Sequence, residues 1–197
     1  MQIEIFFYFC VLINPLNLNN IPAYSTHLVQ NKERKIQFLF ESKGTRSIIK
    51  AIEYTPILKR NGKTIFNLGF GDYNEKNGGI LDDKNSNNGD MRKVFSTVLN
   101  TIPKFFKKNP NAAIWVQGSD SQEDFKKKCE QICKKKCDKF CKNFNRRIKT
   151  YRYYVEKNFS ELSKEYIFFG SINNDELDFV QYIPKTEYLG ILVYRKK

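Results

Sequence analysis

The chain is poorest in the side chains that most often do chemistry on their own. It has one histidine, His27, one tryptophan, Trp115, and two methionines. A lone histidine argues against a histidine-based metal centre and against a conventional catalytic triad. Acids are scarce against bases: 21 Asp and Glu stand against 34 Lys and Arg, a net charge of +13. That balance permits attraction to nucleic acid or to an anionic membrane surface. A composition rich in Lys and Asn also produces such charge as plain solvated surface. Long apolar runs are missing too. The longest, Ile3–Ile13 (IEIFFYFCVLI), falls short of the roughly twenty residues that span a bilayer. It contains Glu4 and lacks the basic leader of a secretory signal. The expectation is a cytoplasmic protein with no transmembrane segment. Residues 1–34 are expected to form an apolar extension and linker, and 35–197 one α/β (α+β) domain.

What is present centres on Ile65–Ile102. Ile65, Phe66, Leu68 and Phe70 make an apolar strand interrupted by Gly69 and Gly71, then a polar loop runs through Asp72, Asp82, Asp83, Asn88 and Asp90. Glycines inside a strand mark a bulge or a close backbone approach. Met91, Val94, Phe95, Val98, Leu99 and Ile102 recur at three- and four-residue spacing, one face of a helix. Pro103 is expected to end or kink it. Two motifs in this region fail on spacing. A calcium loop starting at Asp83 has its glycine one place late, at Gly89, and Val94 where a bidentate Glu belongs. Gly62-Lys63-Thr64 echoes a phosphate loop, but Ile57 replaces the first glycine and no helix follows directly.

Upstream, Ile36, Phe38 and Phe40 alternate with polar residues, and Ser47–Tyr54 (SIIKAIEY) repeats the texture. With Pro56–Gly62 as a turn into Ile65, three strands form an antiparallel meander. Downstream, Ala112–Gln117 reads as a strand holding Trp115 in the core. Gly118, Ser119 and Asp120 cap the next helix. Tyr166–Phe169 is another strand, and Leu177–Ile183 with Tyr188–Tyr194 is expected to close as a C-terminal hairpin around Pro184-Lys185.

Between these lies KKKCEQICKKKCDKFCKNF, in which Cys129, Cys133, Cys137 and Cys141 are spaced by four. With Phe125, Ile132, Phe140, Phe144 and Ile148 they form one apolar helical stripe. Lys126–Lys128, Lys134–Lys136, Lys139 and Lys142 take the opposite face. On a continuous helix Cys129 and Cys141 are roughly 18 Å apart, too far to share a tetrahedral zinc ion. No metal site and no cofactor are therefore expected. Buried thiols acting as small apolar residues, or pairing with a partner or a second copy, are the alternatives.

FNLGFGDYNE at Phe66–Glu75, SNNGDMRKVFSTVLNTI at Ser86–Ile102, the Gly118-Ser119 turn, RRIKTYRYYVEKN at Arg146–Asn158, EYIFFG and the final YLGILVYRKK are together similar to a family of uncharacterised small bacterial proteins. That family is a domain of unknown function frequent in Bacteroidetes. The resemblance covers about Lys35–Lys197. It implies that the Gly-Ser turn leads almost directly into the Arg-rich helix, so that Asp120–Asn145 is a Lys/Cys-rich helical insertion. It implies no activity. The element order is also that of ribonuclease-H-like domains, an analogy of order alone.

Three functions follow as expectations. The first is a non-catalytic nucleic-acid-binding protein, within a bacterial defence or toxin–antitoxin pair. It would use Arg146, Arg147, Lys149, Tyr151 and Arg152, with Tyr153 and Tyr154, for phosphates and base stacking. The second is an interaction module pairing through the Cys129–Cys141 helix. The third is a divergent metal-dependent nuclease, which needs clustered acids and offers only Asp72, Asp90 and Asp120.

Overall fold

The computed structural model describes residues 22–30, 35–81, 86–132, 137, 141–173 and 178–196. The apolar run Ile3–Ile13, the acids Asp82 and Asp83, and Cys133 lie outside these residues. Strand β1 (His27–Gln30) precedes the expected meander of β2 (Ile36–Lys43), β3 (Ser47–Arg60) and β4 (Lys63–Asn74). All three contacts are antiparallel. β3 continues through the segment expected to turn at Pro56. A register shift between Pro56 and Leu58 absorbs the proline, which cannot donate to a regular ladder. The reversal is left to Asn61-Gly62, both at positive φ, the two-residue hairpin turn such dipeptides favour.

β5 (Gly79–Leu81) pairs the far end of β4. Helix α1 (Met91–Lys108) then crosses over to β6 (Ala113–Gln117), which lies parallel to Ile65–Asn67 of β4. After a 3₁₀ turn at Ser119–Ser121 come α2 (Glu123–Ile132), α3 (Arg146–Lys157), α4 (Phe159–Glu165), β7 (Tyr166–Ser171), β8 (Val180–Gln181) and β9 (Gly190–Arg195). The strands make one mixed sheet in the order β1-β2-β3-β4-β6-β9-β7-β8, an α+β fold with the meander at one side.

The C-terminal strands do not close on each other. β8 and β9 both pair with β7, on opposite edges, and β9 slots between β7 and β6. The turn at Pro184-Lys185 is present, with Lys185 at positive φ. Tyr188 then lies across Gly170, where a Cβ would stand 2.1 Å from its ring, so the chain is drawn onto β7.

One face of the sheet carries the main core. Phe38, Phe40, Ile52, Tyr54, Phe66 and Leu68 meet Val94, Val98, Phe105 and Phe106 of α1. Tyr54 stacks on Phe105 at 4.3 Å between centroids. α1 continues past Pro103 to Lys108, so the helix does not end there. Its most buried stripe includes Thr97 and Thr101, which hydropathy does not mark. Both hydroxyls are satisfied: Thr97 Oγ1 donates to the Lys93 carbonyl and accepts from Tyr24 N, and Thr101 Oγ1 pairs with the Tyr54 hydroxyl at 2.8 Å. Phe95, Leu99 and Ile102 turn instead to a cleft of about 100 Å³, walled also by Tyr151, Tyr154 and Leu162.

The opposite face holds a second cluster of Ile65, Ala113, Trp115 and Leu192, bordered by Leu58, Phe169, Phe179 and Tyr194. None of these residues is helical.

The single Cys/Lys helix is also corrected. α2 ends at Ile132, and Cys137 and Cys141 are outside helix. Asn145 adopts a left-handed conformation, φ 58°, and its N–H returns to the Asp120 carbonyl at 3.1 Å. The four-residue spacing signalled one continuous helix, but residues 141–145 lie outside helix, and Asn145 returns to the start of the segment. Asn143 Nδ2 accordingly reaches Cys129 Sγ at 3.3 Å, and Lys142 N reaches Cys137 Sγ at 3.2 Å. Cys129 is buried, and Cys129, Cys137 and Cys141 stand as thiols, not disulfides.

Candidate nucleic-acid interface

The basic helix α3 is set in place by the turn before α2. Gly118 makes the approach feasible: a Cβ there would lie 2.5 Å from Asp120 Oδ1 and 3.1 Å from Ile148 N. Asp120, 5% exposed, accepts the Arg147 N–H at 3.0 Å through Oδ2. A carboxylate at this position satisfies one of the open N–H groups of the first turn and complements the helix dipole. The Arg147 guanidinium donates to Ser119 Oγ. Asp120 Oδ1 and Ser121 Oγ are buried without a hydrogen-bond partner among the described residues. Asp120 is thus a cap for α3.

α3 divides its expected binding residues between two faces. Ile148 and Val155 are buried in the core. Tyr151 stacks on Phe95 at 6.0 Å and Tyr154 meets the same ring edge-on at 5.5 Å. Burial pushes the Tyr154 pKa up. The Arg152 side chain is only 13% exposed and faces Glu156 at 3.8 Å and Glu187 at 3.7 Å. Tyr151 and Arg152 therefore face inward, as their positions four and three residues from Val155 require. Arg146, Lys149 and Tyr153 face out, with Tyr153 55% exposed. Lys127 and Lys128 are exposed on α2 and Lys126 is half-buried there; α2 and α3 both touch the 3₁₀ turn. The outward face of α3 and the lysines of α2 thus flank one buried anchor.

The other two acids belong to a polar junction at the far end of the meander. Asp72 on β4 receives the Lys50 ammonium at 2.6 Å. Asp90 sits at the N-cap position of α1 but makes no side-chain cap bond. It accepts Ser42 Oγ at 2.6 Å and the Tyr24 hydroxyl at 2.7 Å. Burial works against its charge, but those two hydroxyls and the nearby Lys50 outweigh it, and its pKa is held below the ordinary carboxylate value. Asn88 completes the junction, donating to Ser42 Oγ at 2.9 Å and to the Arg46 carbonyl, and accepting the Arg46 N–H. Gly44 lies so close that a Cβ would stand 1.9 Å from the Asn88 carbonyl oxygen.

The FGD and NNGD stretches thus converge on β3 and the β2–β3 turn. Lys50, Ser42 and Tyr24 were not singled out in the sequence. The available signal was a lysine inside the apolar run SIIKAIEY, which demands a buried counter-charge. The geometry is that of a clamp, holding the loop before α1 to the meander. Among the described residues no group of three or more His, Cys, Asp or Glu is gathered to hold a metal ion. Among them also, no helix is long and apolar enough to cross a membrane.

These features define an α+β protein with a mixed sheet, α1, α3 and α4 packed on the main core, and a basic helix pinned by a buried carboxylate. The chain belongs to DUF6934, a family of unknown function, whose pattern matches residues 20–145. That match takes in the meander, the junction, the Ser119–Ser121 turn and α2, and stops before α3. No curated protein and no solved structure matches the chain.

Proposed function

We propose that this protein binds nucleic acid without cleaving it, through the outward face of α3 and the adjoining lysines of α2. The observation that carries the reading is the placement of Arg146, Lys149 and Tyr153 on the solvent side of a helix whose start is fixed by Asp120. Cations on a pinned helix meet phosphates without first being ordered, and each phosphate neutralised releases counterions. The excess of 34 Lys and Arg over 21 Asp and Glu adds long-range attraction. A cytoplasmic setting in a bacterial cell goes with this reading and keeps Cys129, Cys137 and Cys141 reduced.

The test separates the two faces of α3. Arg146→Gln with Lys149→Gln is expected to weaken binding of a short DNA duplex several-fold while leaving thermal stability nearly unchanged, since exposed charges contribute little to folding. Arg152→Gln is expected to do the reverse, lowering stability through its lost partners Glu156 and Glu187 and sparing affinity. Equal affinity for all three proteins contradicts the proposal.

A further inference from the structure

The sheet face opposite the main core combines aromatic rings with cations. Cross-strand register places Leu58, Ile65, Ala113, Tyr194 and Ile167 in one row. Asn67, Trp115, Leu192 and Phe169 form the next. Trp115 lies over Gly190, where a Cβ would be 1.9 Å from the indole, and tilts against Phe179 at 5.5 Å. Phe179 in turn carries the Arg60 guanidinium 5.1 Å from its centroid. Beside this stack, Tyr194 carries the Lys63 ammonium at 5.5 Å and meets Phe169 edge-on at 5.7 Å. Tyr194, Phe169, Phe179, Arg60 and Lys63 are each half-buried, and Ile167 is exposed. Asp178, the acid next to Phe179, is tied to Asn173 at 2.8 Å.

Resting on the nucleic-acid reading above, we infer that this face, which carries no helical residue of its cluster among the described residues, is a stacking platform for single-stranded nucleic acid. Partly open rings offer planar apolar surface to unpaired bases, and Lys63, the cation at the Tyr194 ring, offers charge to a neighbouring phosphate. A base stacking on Tyr194 takes the place of the Lys63 ammonium, which moves to the neighbouring phosphate. Duplex has no free base faces and cannot use the platform. Positive charge beside aromatic surface fits an anionic strand and disfavours a basic or purely apolar partner. The face would therefore confer preference for single strands on a protein whose α3 surface reads phosphate alone.

The experiment uses the full chain with oligo-dT and oligo-U of about twenty nucleotides, room for one such site, and a duplex of matching length, followed by fluorescence anisotropy. Tyr194→Ala is expected to lower affinity for the single strands roughly five- to tenfold and leave the duplex unchanged, whereas Tyr194→Phe keeps the wild-type value. Lys63→Gln, which tests the same face without removing a ring, is expected to reduce the salt dependence of single-strand binding by roughly one phosphate. Single-strand affinity unaffected by Tyr194→Ala and Lys63→Gln overturns the platform. If duplex binding still depends on Arg146 and Lys149 in that case, the nucleic-acid reading survives. An equal loss for single strand and duplex in Tyr194→Ala also overturns the platform. Absence of binding to any of the three nucleic acids overturns both.

Discussion

At the scale of single residues, the strongest constraints are charges placed where water is scarce. Lys50 is 6% exposed and its ammonium has the Asp72 carboxylate at 2.6 Å. Removing one member of such a pair leaves the other uncompensated. Asp72→Asn is therefore expected to cost about 3 kcal/mol, and Lys50→Met somewhat less because Asp72 is the more exposed partner. Urea unfolding measures both. Asp90 gives a pH dependence of known sign. Its folded pKa is depressed by Ser42, Tyr24 and Lys50 against the opposing effect of burial. Its contribution is thus full above the unfolded value, about 3.9, and is lost as pH falls through the lower folded value. Ser42→Ala is expected to flatten the fall in urea midpoint between about pH 5 and about pH 2. An unchanged slope in that variant contradicts the assignment. Beyond Lys50, a lysine inside an apolar run, little of this pairing was legible in the sequence. Asp72, Asp90 and Asp120 were visible as acids in polar loops, but their partners Lys50, Ser42, Tyr24 and the α3 amide lie 22 to 66 residues away.

At the scale of elements, periodicity identified most strands and helices, and partner choice escaped it. The alternation in Ile36–Phe40 and the three/four spacing in Val94–Ile102 correspond to β2 and α1. The stripe read on α1 was rotated, because Thr97 and Thr101 satisfy their hydroxyls locally and so pack like apolar residues. Val98, 4% exposed, belongs to either version of the stripe. Val98→Asp is expected to abolish cooperative unfolding, because a buried charge without a partner costs several kcal/mol against a total stability of about 5 to 15 kcal/mol. A folded, cooperative Val98→Asp protein contradicts the placement of α1. The cysteine segment misled for a different reason. It has no Gly or Pro between Cys129 and Ile148, and asparagine, as at Asn145, enters the left-handed region without announcing it. Among the described elements α2 is tied mainly to the 3₁₀ turn. Replacing residues 123–143 with a short Gly/Ser linker is accordingly expected to leave a cooperatively folding protein, checked by thermal denaturation. The β7–β9 pairing was hidden because apolar runs of similar texture do not encode which neighbour they take.

At the scale of the whole molecule, one sheet separates two surfaces of different character. On one side helices cover the aromatic core, and α3 presents Arg146, Lys149 and Tyr153 outward; on the other, Trp115, Phe179 and Tyr194 lie with Arg60 and Lys63. The net charge of +13 was the feature most plainly visible in sequence, and the least specific until the fold distributed it. Tyr151 and Arg152 illustrate the distinction. Both sit in the basic stretch, yet packing against Phe95 and pairing with Glu156 and Glu187 direct them inward. The account stands most directly on the salt dependence of nucleic-acid binding by the intact chain. A plot of log affinity against log salt should be linear with a slope of about −2 to −3, for roughly three phosphates. Arg146→Gln with Lys149→Gln should bring that slope closer to zero by about 1.5 to 2. A slope unchanged by that substitution, or no binding at about 0.15 M salt, would contradict the account.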